Sequence, residues 1–178
     1  VLTHCLEHLG RHPQIQHIQI VIGDGYHAFY ADILDELDDE LKAKLLDPVQ
    51  GGATRQASVY NGLKALEGLK PDHVFIHDAA RPFVQMQVID DLFLALTSHK
   101  GAIAALPVPD SLKRGQDLVH EDVDRADLWR AQTPQAFHYP VIKEAHKYAF
   151  ESDETGFTDD ASCLLYTSDA ADEKRCGG

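Results

Sequence analysis

The chain has 178 residues and a formal net charge of −13, which suits one globular domain and argues against nucleic acid or an anionic membrane as a partner. A small anion in a locally basic pocket stays compatible with that charge. No apolar stretch approaches the ~20 residues of a membrane span. The cysteines (Cys5, Cys163 and Cys176) are odd in number and widely spaced, so they predict no disulfide framework and favour a reducing cytoplasm.

The first part of the chain alternates helical and extended patterns. Apolar residues spaced three and four apart predict a helix over 2–9, and β-branched residues predict a strand over 18–22. One long helix is expected over 29–45, with the acidic run 35–40 on its solvated outer face. Because the chain opens at Val1 inside a helical pattern, we expect that a preceding segment is missing.

A glycine pair precedes the next helix. Strand 49–50 leads into Gly51 and Gly52, and apolar residues over 59–66 carry the helix, with Gly68 expected as its C-terminal cap. Backbone N–H groups at a helix start lie at the positive end of the helix dipole, which favours a phosphate or the edge of a base. The motif is weak alone, because many such turns bind nothing.

The chain is organised around strand 74–76 and the residues after it. This short run of branched and aromatic residues predicts a strand buried on both faces, as in a parallel sheet. Asp78, Ala79 and Arg81 follow at the carboxyl end of that strand, where ligands bind in open α/β sheets. From the pattern alone, a merely solvated or paired Asp and Arg is about as well supported as a ligand site.

The second half predicts further elements of both kinds. Two prolines exclude helix from 107–113, and the polar segment 116–125 is expected as an extended arm or hairpin outside the core. Thr158 is expected to cap a helix that starts within 158–162. The other predictions are a helix over 88–96, a strand over 102–106, an irregular strand over 128–137 and a helix over 140–150 with proline in its first turn.

Alternating strands and helices predict an α/β fold, a three-layer sandwich with a mostly parallel, mixed sheet. We expect one domain over 1–162. Residues 163–178 show no sustained periodicity and end in a small polar run, which is typical of a tail that does not belong to the fold.

Six separated segments match one family pattern in the right order. They are GGATRQASVYNGL (51–63), HDAARPF (77–83), PVPDSLK (107–113), VDR (123–125), LWRAQTPQAF (128–137) and TDDAS (158–162). Together they resemble 2-C-methyl-D-erythritol 4-phosphate cytidylyltransferase, an enzyme of non-mevalonate isoprenoid biosynthesis. The resemblance implies a nucleotide-diphospho-sugar transferase-like fold. It also implies that CTP and methylerythritol phosphate react, with Mg²⁺, to give a CDP-alcohol and pyrophosphate.

The resemblance implies roles for the matching residues. Asp78 would lie between nucleotide and acceptor as the ligand of Mg²⁺, and Arg125 would align the attacking phosphate, so both are expected to be catalytic. Arg55 would order the glycine loop rather than touch phosphate. The nucleotide would be bound by Gly51, Gly52, Ser58, Asp78 and Ala79. The acceptor would be bound by Arg81, Ser111, Arg125, Thr133 and Thr158.

The family is dimeric, so the resemblance implies a homodimer in which the protruding segment 116–125 contacts the partner and brings Ser111 and Arg125 to its site. The family's glycine-rich triphosphate loop and its C-terminal lysine have no match here, and we expect this polypeptide alone to be inactive. Two alternatives stay open: a non-catalytic nucleotide-binding or dimerising module, and a cytidylyltransferase for ribitol phosphate.

Overall fold

The structure is a computed structural model that describes residues 1–154 and 156–167. The helices are α1 (Leu2–Gly10), α2 (His27–Glu36), α3 (Asp39–Lys42), α4 (Arg55–Ala65), α5 (Met86–Leu96) and α6 (Tyr139–Glu151), and residues 160–167 are also helical. The strands are β1 (Val21–Ile22), β2 (Val49–Gln50), β3 (His73–Ile76), β4 (Gly101–Pro107), β5 (Leu112–Gly115), β6 (Val119–Val123) and β7 (Trp129–His138). Most of the expected tail 163–178, including Cys176, lies outside the described residues.

The strands form three groups. β1 and β2 pair in parallel, β7 lies between β3 and β4 and is antiparallel to both, and β5 and β6 form an antiparallel hairpin. The predicted α/β fold is confirmed, with parallel and antiparallel strand pairs in separate sheets rather than in one mostly parallel, mixed sheet. The expectation of a parallel, doubly buried strand at 74–76 was wrong in its detail, because β3 is half-buried at every residue and pairs antiparallel with β7.

Side chains alternate across the central sheet and place helices on both of its faces. Val74 and Ile76 of β3 pack with α4 and α6 around the buried Phe137. Phe75, between them, packs on the other face against Leu92 and Leu96 of α5. This period-two alternation along β3 produces the layered arrangement.

The long helix expected over 29–45 is broken into α2 and α3. Leu37 is extended (φ −83°, ψ 151°), and the Asp38 side chain accepts a hydrogen bond from the Leu41 N–H at 2.8 Å. An Asp inside a helical pattern competes for backbone N–H groups and starts a new helix instead of continuing the old one. One member of the acidic run is therefore a cap rather than only a solvated charge.

The end of α4 also differs from the prediction. A 3₁₀ turn, Leu66–Gly68, extends the helix, and the residue with left-handed backbone is Lys70 (φ 47°), not Gly68. The chain therefore reverses two residues later than the glycine suggests.

The polar segment expected outside the core is the β5–β6 hairpin, which begins earlier than predicted. Ion pairs join Lys113 to Asp122 and Arg114 to Glu121 across it. Leu118 is 81% exposed at its turn, and Trp129, where β7 begins, is 62% exposed. Within residues 1–154 and 156–167, no helix has the length and apolar character needed to cross a membrane.

Candidate active site

Asp78 lies just beyond β3 and is tied to the neighbouring strand. Its backbone N–H donates to Thr133 Oγ1 of β7 at 3.1 Å, and its carbonyl accepts from the Arg81 N–H at 2.9 Å. The second bond closes a tight turn over 78–81. The register of β3 on β7 thus fixes the carboxylate, and the turn brings Arg81 back beside it.

The Asp78 carboxylate lies between two guanidinium groups. Arg55 Nε is 3.5 Å from Asp78 Oδ1, and Arg81 Nε is 3.6 Å from Oδ2. The Asp78 side chain is 40% exposed, so water weakens both ion pairs. Arg81 also donates a hydrogen bond to Gln132 Oε1. The site therefore offers one accessible anion and two cations to a ligand.

His77 stabilises the turn over 78–81 through a hydrogen bond, a role that the sequence did not predict. Its Nε2 donates to the Arg81 carbonyl at 2.9 Å. Burial lowers the pKa of His77 despite that hydrogen bond and the nearby Asp78 charge, so the ring is neutral near pH 7. Its buried Nδ1 has no hydrogen-bond partner within the described part of the chain. The only signal was its place at the start of the HDAARPF segment.

The glycine turn is closed by Ser58. The Gly51 N–H donates to the Ile22 carbonyl at 2.7 Å, and the Gly52 N–H donates to Ser58 Oγ at 3.0 Å. The Ser58 hydroxyl in turn donates to the Thr54 carbonyl at 2.9 Å. A Cβ on Gly52 would lie 2.4 Å from the Ala57 Cβ, so the close approach of the turn to α4 requires glycine.

A large cavity connects Ser58 with the turn at Asp78. It has a volume of about 1180 Å³, extends from β1 to β3, and is lined among others by Arg55, Ser58, His77, Asp78 and Ala79. The glycine turn is attached to this cavity through Ser58. The structure thus brings Ser58, Asp78 and Ala79 to one cavity, whereas Gly51 and Gly52 are not among its lining residues.

Two predicted acceptor residues lie elsewhere. Arg125 follows β6 and donates a hydrogen bond to the Pro109 carbonyl near the base of the hairpin, close in sequence to Ser111. Among the described residues, no hydrogen bond or ion pair joins Ser111 or Arg125 to Asp78 or Arg81. The structure thus places Ser111 and Arg125 at the hairpin, with no direct bond to the charged residues of the Asp78 site among the described residues.

Thr158 is exposed, and the expectation that it caps the last helix was wrong. The cap is Asp159, whose Oδ1 accepts from the Ser162 N–H at 2.8 Å and from the Ser162 hydroxyl at 2.6 Å. Burial opposes ionisation of Asp159. The hydrogen bonds from Ser162 and Gln135 and the charge of Arg55 outweigh it and hold the pKa of Asp159 below its ordinary value.

Beneath the site lies a cluster of polar side chains that we call the polar junction: Arg55, Gln135, His146, Asp159 and Asp160. Gln135 Oε1 accepts from the backbone N–H groups of Asp160 and Ala161, both at 3.1 Å. Arg55 Nη2 donates to Asp160 Oδ2 at 2.7 Å. Burial opposes the charge on Arg55, but the Asp160 bond outweighs it and raises the Arg55 pKa. Sequence reasoning placed Arg55 as a loop-ordering residue and missed its buried partner.

Asp78 fits a magnesium ion that a nucleotide would help to hold. No group of three or more His, Cys, Asp or Glu side chains able to hold a metal is found within the described residues. Mg²⁺ commonly binds through one or two carboxylates and completes its shell with substrate phosphates and water. The half-exposed Asp78 carboxylate can supply the protein ligand of such a set.

The fold is that of nucleotidyltransferases, and several solved structures resemble it. The 4-diphosphocytidyl-2C-methyl-D-erythritol synthase of Anaerococcus prevotii is 28% identical with a TM-score of 0.81, covering 94% of this chain and 71% of that one. The 2-C-methyl-D-erythritol 4-phosphate cytidylyltransferase of Thermus thermophilus is 30% identical with a TM-score of 0.69, covering 85% and 68%.

The chain belongs to the family IspD, 2-C-methyl-D-erythritol 4-phosphate cytidylyltransferase, which matches residues 1–170. The bifunctional enzyme IspD/IspF of Rhodospirillum rubrum is 44% identical over 165 residues, covering 92% of this chain and 41% of that protein. Its counterpart from Paramagnetospirillum magneticum is also 44% identical, covering 91% and 40%. The chain thus spans about two fifths of the curated relatives it matches, and the resemblance given by the six segments is confirmed.

Proposed function

We propose that the protein transfers CMP from CTP to 2-C-methyl-D-erythritol 4-phosphate and releases pyrophosphate. An acceptor phosphate oxygen bonds to the α-phosphorus of CTP, the bond from that phosphorus to the bridging oxygen of the β-phosphate breaks, and pyrophosphate leaves. The observation that carries this proposal is Asp78, held between Arg55 and Arg81 at a cavity shared with Ser58, in a chain of this family.

The nucleotide is assigned to the cavity side of Asp78. Gly51 and Gly52 bring the backbone close to the base, and Ala79 leaves room beside the ribose. The Ser58 hydroxyl uses its one proton to donate a hydrogen bond to the Thr54 carbonyl. Towards a ligand it can therefore only accept, which suits an N–H or O–H group of the nucleoside.

The acceptor phosphate is assigned to Arg81, Thr133 and Thr158 of one subunit. We propose that Ser111 and Arg125 come from a partner in a homodimer, because they lie near the base of a hairpin outside the Asp78 site. A guanidinium can grip a phosphate through two hydrogen bonds, so Arg125 would align the attacking oxygen.

We propose that Mg²⁺ is held by Asp78 together with the phosphates of CTP; when bound it neutralises charge that develops on them. Arg81, fixed by Gln132 and by the turn at Asp78, holds the acceptor against that centre. Catalysis then consists of alignment and charge neutralisation, with no covalent intermediate on the protein.

The reaction is tested by measuring pyrophosphate release from CTP and Mg²⁺ by the full gene product, with methylerythritol phosphate or ribitol 5-phosphate as acceptor. We expect methylerythritol phosphate to be preferred, and Asp78→Asn to lower kcat by about 10²–10³-fold. The matched control is Asp91→Asn on α5, whose exposed carboxylate accepts a hydrogen bond from Gln87. A preference for ribitol phosphate, or full activity of Asp78→Asn, would contradict the proposal.

The shared site is tested by mixing two inactive variants, Asp78→Asn and Arg125→Ala. In a mixed dimer, one site combines an intact Asp78 with an intact Arg125 from the other subunit. We expect mixing to restore about a quarter of wild-type turnover, because half of the dimers are mixed and each has one complete site. Absence of recovery after verified subunit exchange would mean that Arg125 acts within its own subunit or not at all.

Two further assignments complete the proposal. We place the protein in the cytoplasm, since Cys5 and Cys163 are free and buried, with burial raising the pKa of each thiol to about 11. We also propose that the transferase domain includes residue 1 and continues past the expected boundary at 162. Helical residues 160–167 and the buried Cys163 carry the packed region a few residues past that boundary.

A further inference from the structure

Asp160 is a buried carboxylate with two basic partners and no place in the chemistry described above. Its side chain is 1% exposed. Oδ2 accepts from Arg55 at 2.7 Å, and Oδ1 accepts from His146 Nε2 at 3.1 Å. The backbone of Asp160 is held in addition by Gln135. A carboxylate this buried and this fully bonded is a fixed point of the fold.

Arg55 links this fixed point to the active site. The same guanidinium lies 2.7 Å from Asp160 and 3.5 Å from Asp78. The first contact is a short, partly buried, charge-assisted hydrogen bond, and the second is a long contact to a half-exposed group. Asp160 therefore determines where the guanidinium lies. Asp78 forms only the longer and weaker of the two contacts with that group.

We propose that Asp160 is a positioning residue that restrains Arg55 from pairing fully with Asp78 and so keeps the Asp78 carboxylate available to a divalent cation. The inference rests on the metal role proposed for Asp78. Without Asp160, the best remaining partner of Arg55 is Asp78. A guanidinium can bind both oxygens of a carboxylate side by side. Those are the oxygens that a cation needs.

The test follows a divalent cation at Asp78 directly and does not need turnover. The protein is labelled with ¹³C at the aspartate carboxyl groups, and the Asp78 signal is assigned by its loss in Asp78→Asn. Mn²⁺ is titrated in the presence of fixed excess CTP, and the concentration that half-broadens the Asp78 signal is recorded. In Asp160→Asn we expect this concentration to rise about three- to fivefold, the scale of a half-exposed ion pair.

A second substitution separates positioning from general damage to the fold. In the double variant Asp160→Asn/Arg55→Gln no guanidinium competes at that side of Asp78, so Mn²⁺ broadening is expected to return to the wild-type concentration or below it. A loss of stability would not be rescued in this way. The matched control is Ile142→Val, a fully buried apolar residue on α6, which is expected to leave the Mn²⁺ response unchanged.

The outcomes are distinct. If wild-type Asp78 does not respond to Mn²⁺, the proposed metal role fails and the inference falls with it. If wild type responds but Asp160→Asn is unchanged, or the double variant is as weak as the single one, only the positioning role is overturned. Should Asp160→Asn fail to fold, Arg55→Lys decides. An ammonium held by Asp160 has a single nitrogen and cannot bind both oxygens of Asp78 side by side, so Mn²⁺ should bind about twofold more tightly or better, and unchanged or weaker binding contradicts the inference.

Discussion

The polar junction and the β5–β6 hairpin both depend on charged side chains, but they use them in opposite ways. In the junction, Asp160 is 1% exposed and joins residues more than 100 positions apart in the chain. In the hairpin, Arg114 and Glu121 are 65% and 50% exposed and join adjacent strands. Buried polar groups cost free energy when they lose a partner, whereas exposed ion pairs exchange partners with water. Stability and site geometry should therefore be sensitive to the junction and insensitive to the hairpin.

The sharpest way to test this contrast is Gln135→Leu. The leucine leaves the buried N–H group of Asp160 and the partly buried N–H group of Ala161 without their acceptor. We expect the free energy of unfolding to fall by about 3–4 kcal/mol, since each buried unsatisfied donor costs roughly 1–3 kcal/mol. Urea denaturation measures it. Gln87→Leu, at an exposed glutamine on α5, should change the value by less than about 0.5 kcal/mol. Equal effects of the two substitutions would remove the distinction.

The next effect in size is at the glycine turn. Gly52→Ala places a methyl group 2.4 Å from the Ala57 Cβ. We expect a loss of about 2 kcal/mol, because the turn or the start of α4 must shift. Thermal unfolding of Gly68→Ala gives the control, since a Cβ there meets no atom within 4 Å. A tolerated Gly52→Ala would show that this turn is not closely packed.

Asp159→Ala tests how the stability contributed by a carboxylate of the polar junction depends on pH. Loss of the helix cap should cost about 1 kcal/mol at pH 7. Because the pKa of Asp159 is lower in the folded state, its contribution is present above the unfolded pKa and is lost as pH falls through the folded pKa. The difference between wild type and variant should therefore hold from about pH 5 to 7 and shrink below about pH 4. A difference that grows in acid would contradict this sign. Asp91→Ala controls for loss of a surface carboxylate.

The smallest effect is expected in the hairpin. Arg114→Ala removes an exposed ion pair with Glu121, and the free energy of unfolding should change by less than about 0.5 kcal/mol, less still in 1 M salt. Unfolding curves at low and high salt measure the change. A loss above about 1 kcal/mol would mean that the hairpin contributes to stability as the junction does.

The regular elements were largely predictable from the sequence. Apolar spacing located α1 and α5, and β-branched residues located β1 and β3, because these patterns report which side chains must avoid water. Proline in the first turn marked α6. The direction of strand pairing was not predictable at β3. A short apolar run records burial but not whether the neighbouring strand runs parallel or antiparallel.

Local competition between side chain and backbone explains the missed boundaries. Asp38 ends one helix pattern by capping another, and Asp159 takes the capping position expected for Thr158. In both places several residues of capping type are adjacent, and propensity alone does not select among them.

The candidate site likewise contains a local part that the sequence predicted and a long-range part that it did not. The HDAARPF segment and the glycine turn are local, so the sequence showed Asp78, Arg81 and Gly52 directly. The pairing of Arg55 with Asp160 joins positions 105 residues apart, and polar residue types give no sign that they are buried. Only the fold brings them together.

Trp129 gives the protein a built-in optical reporter. It is the single tryptophan of the chain, and its indole is 62% exposed where β7 begins. An indole in water emits at longer wavelength than one covered by protein, so the intrinsic fluorescence follows events near the hairpin and not the filling of the cavity. Subunit association over that surface would shift the emission to the blue, and dilution would reverse the shift, in unlabelled protein.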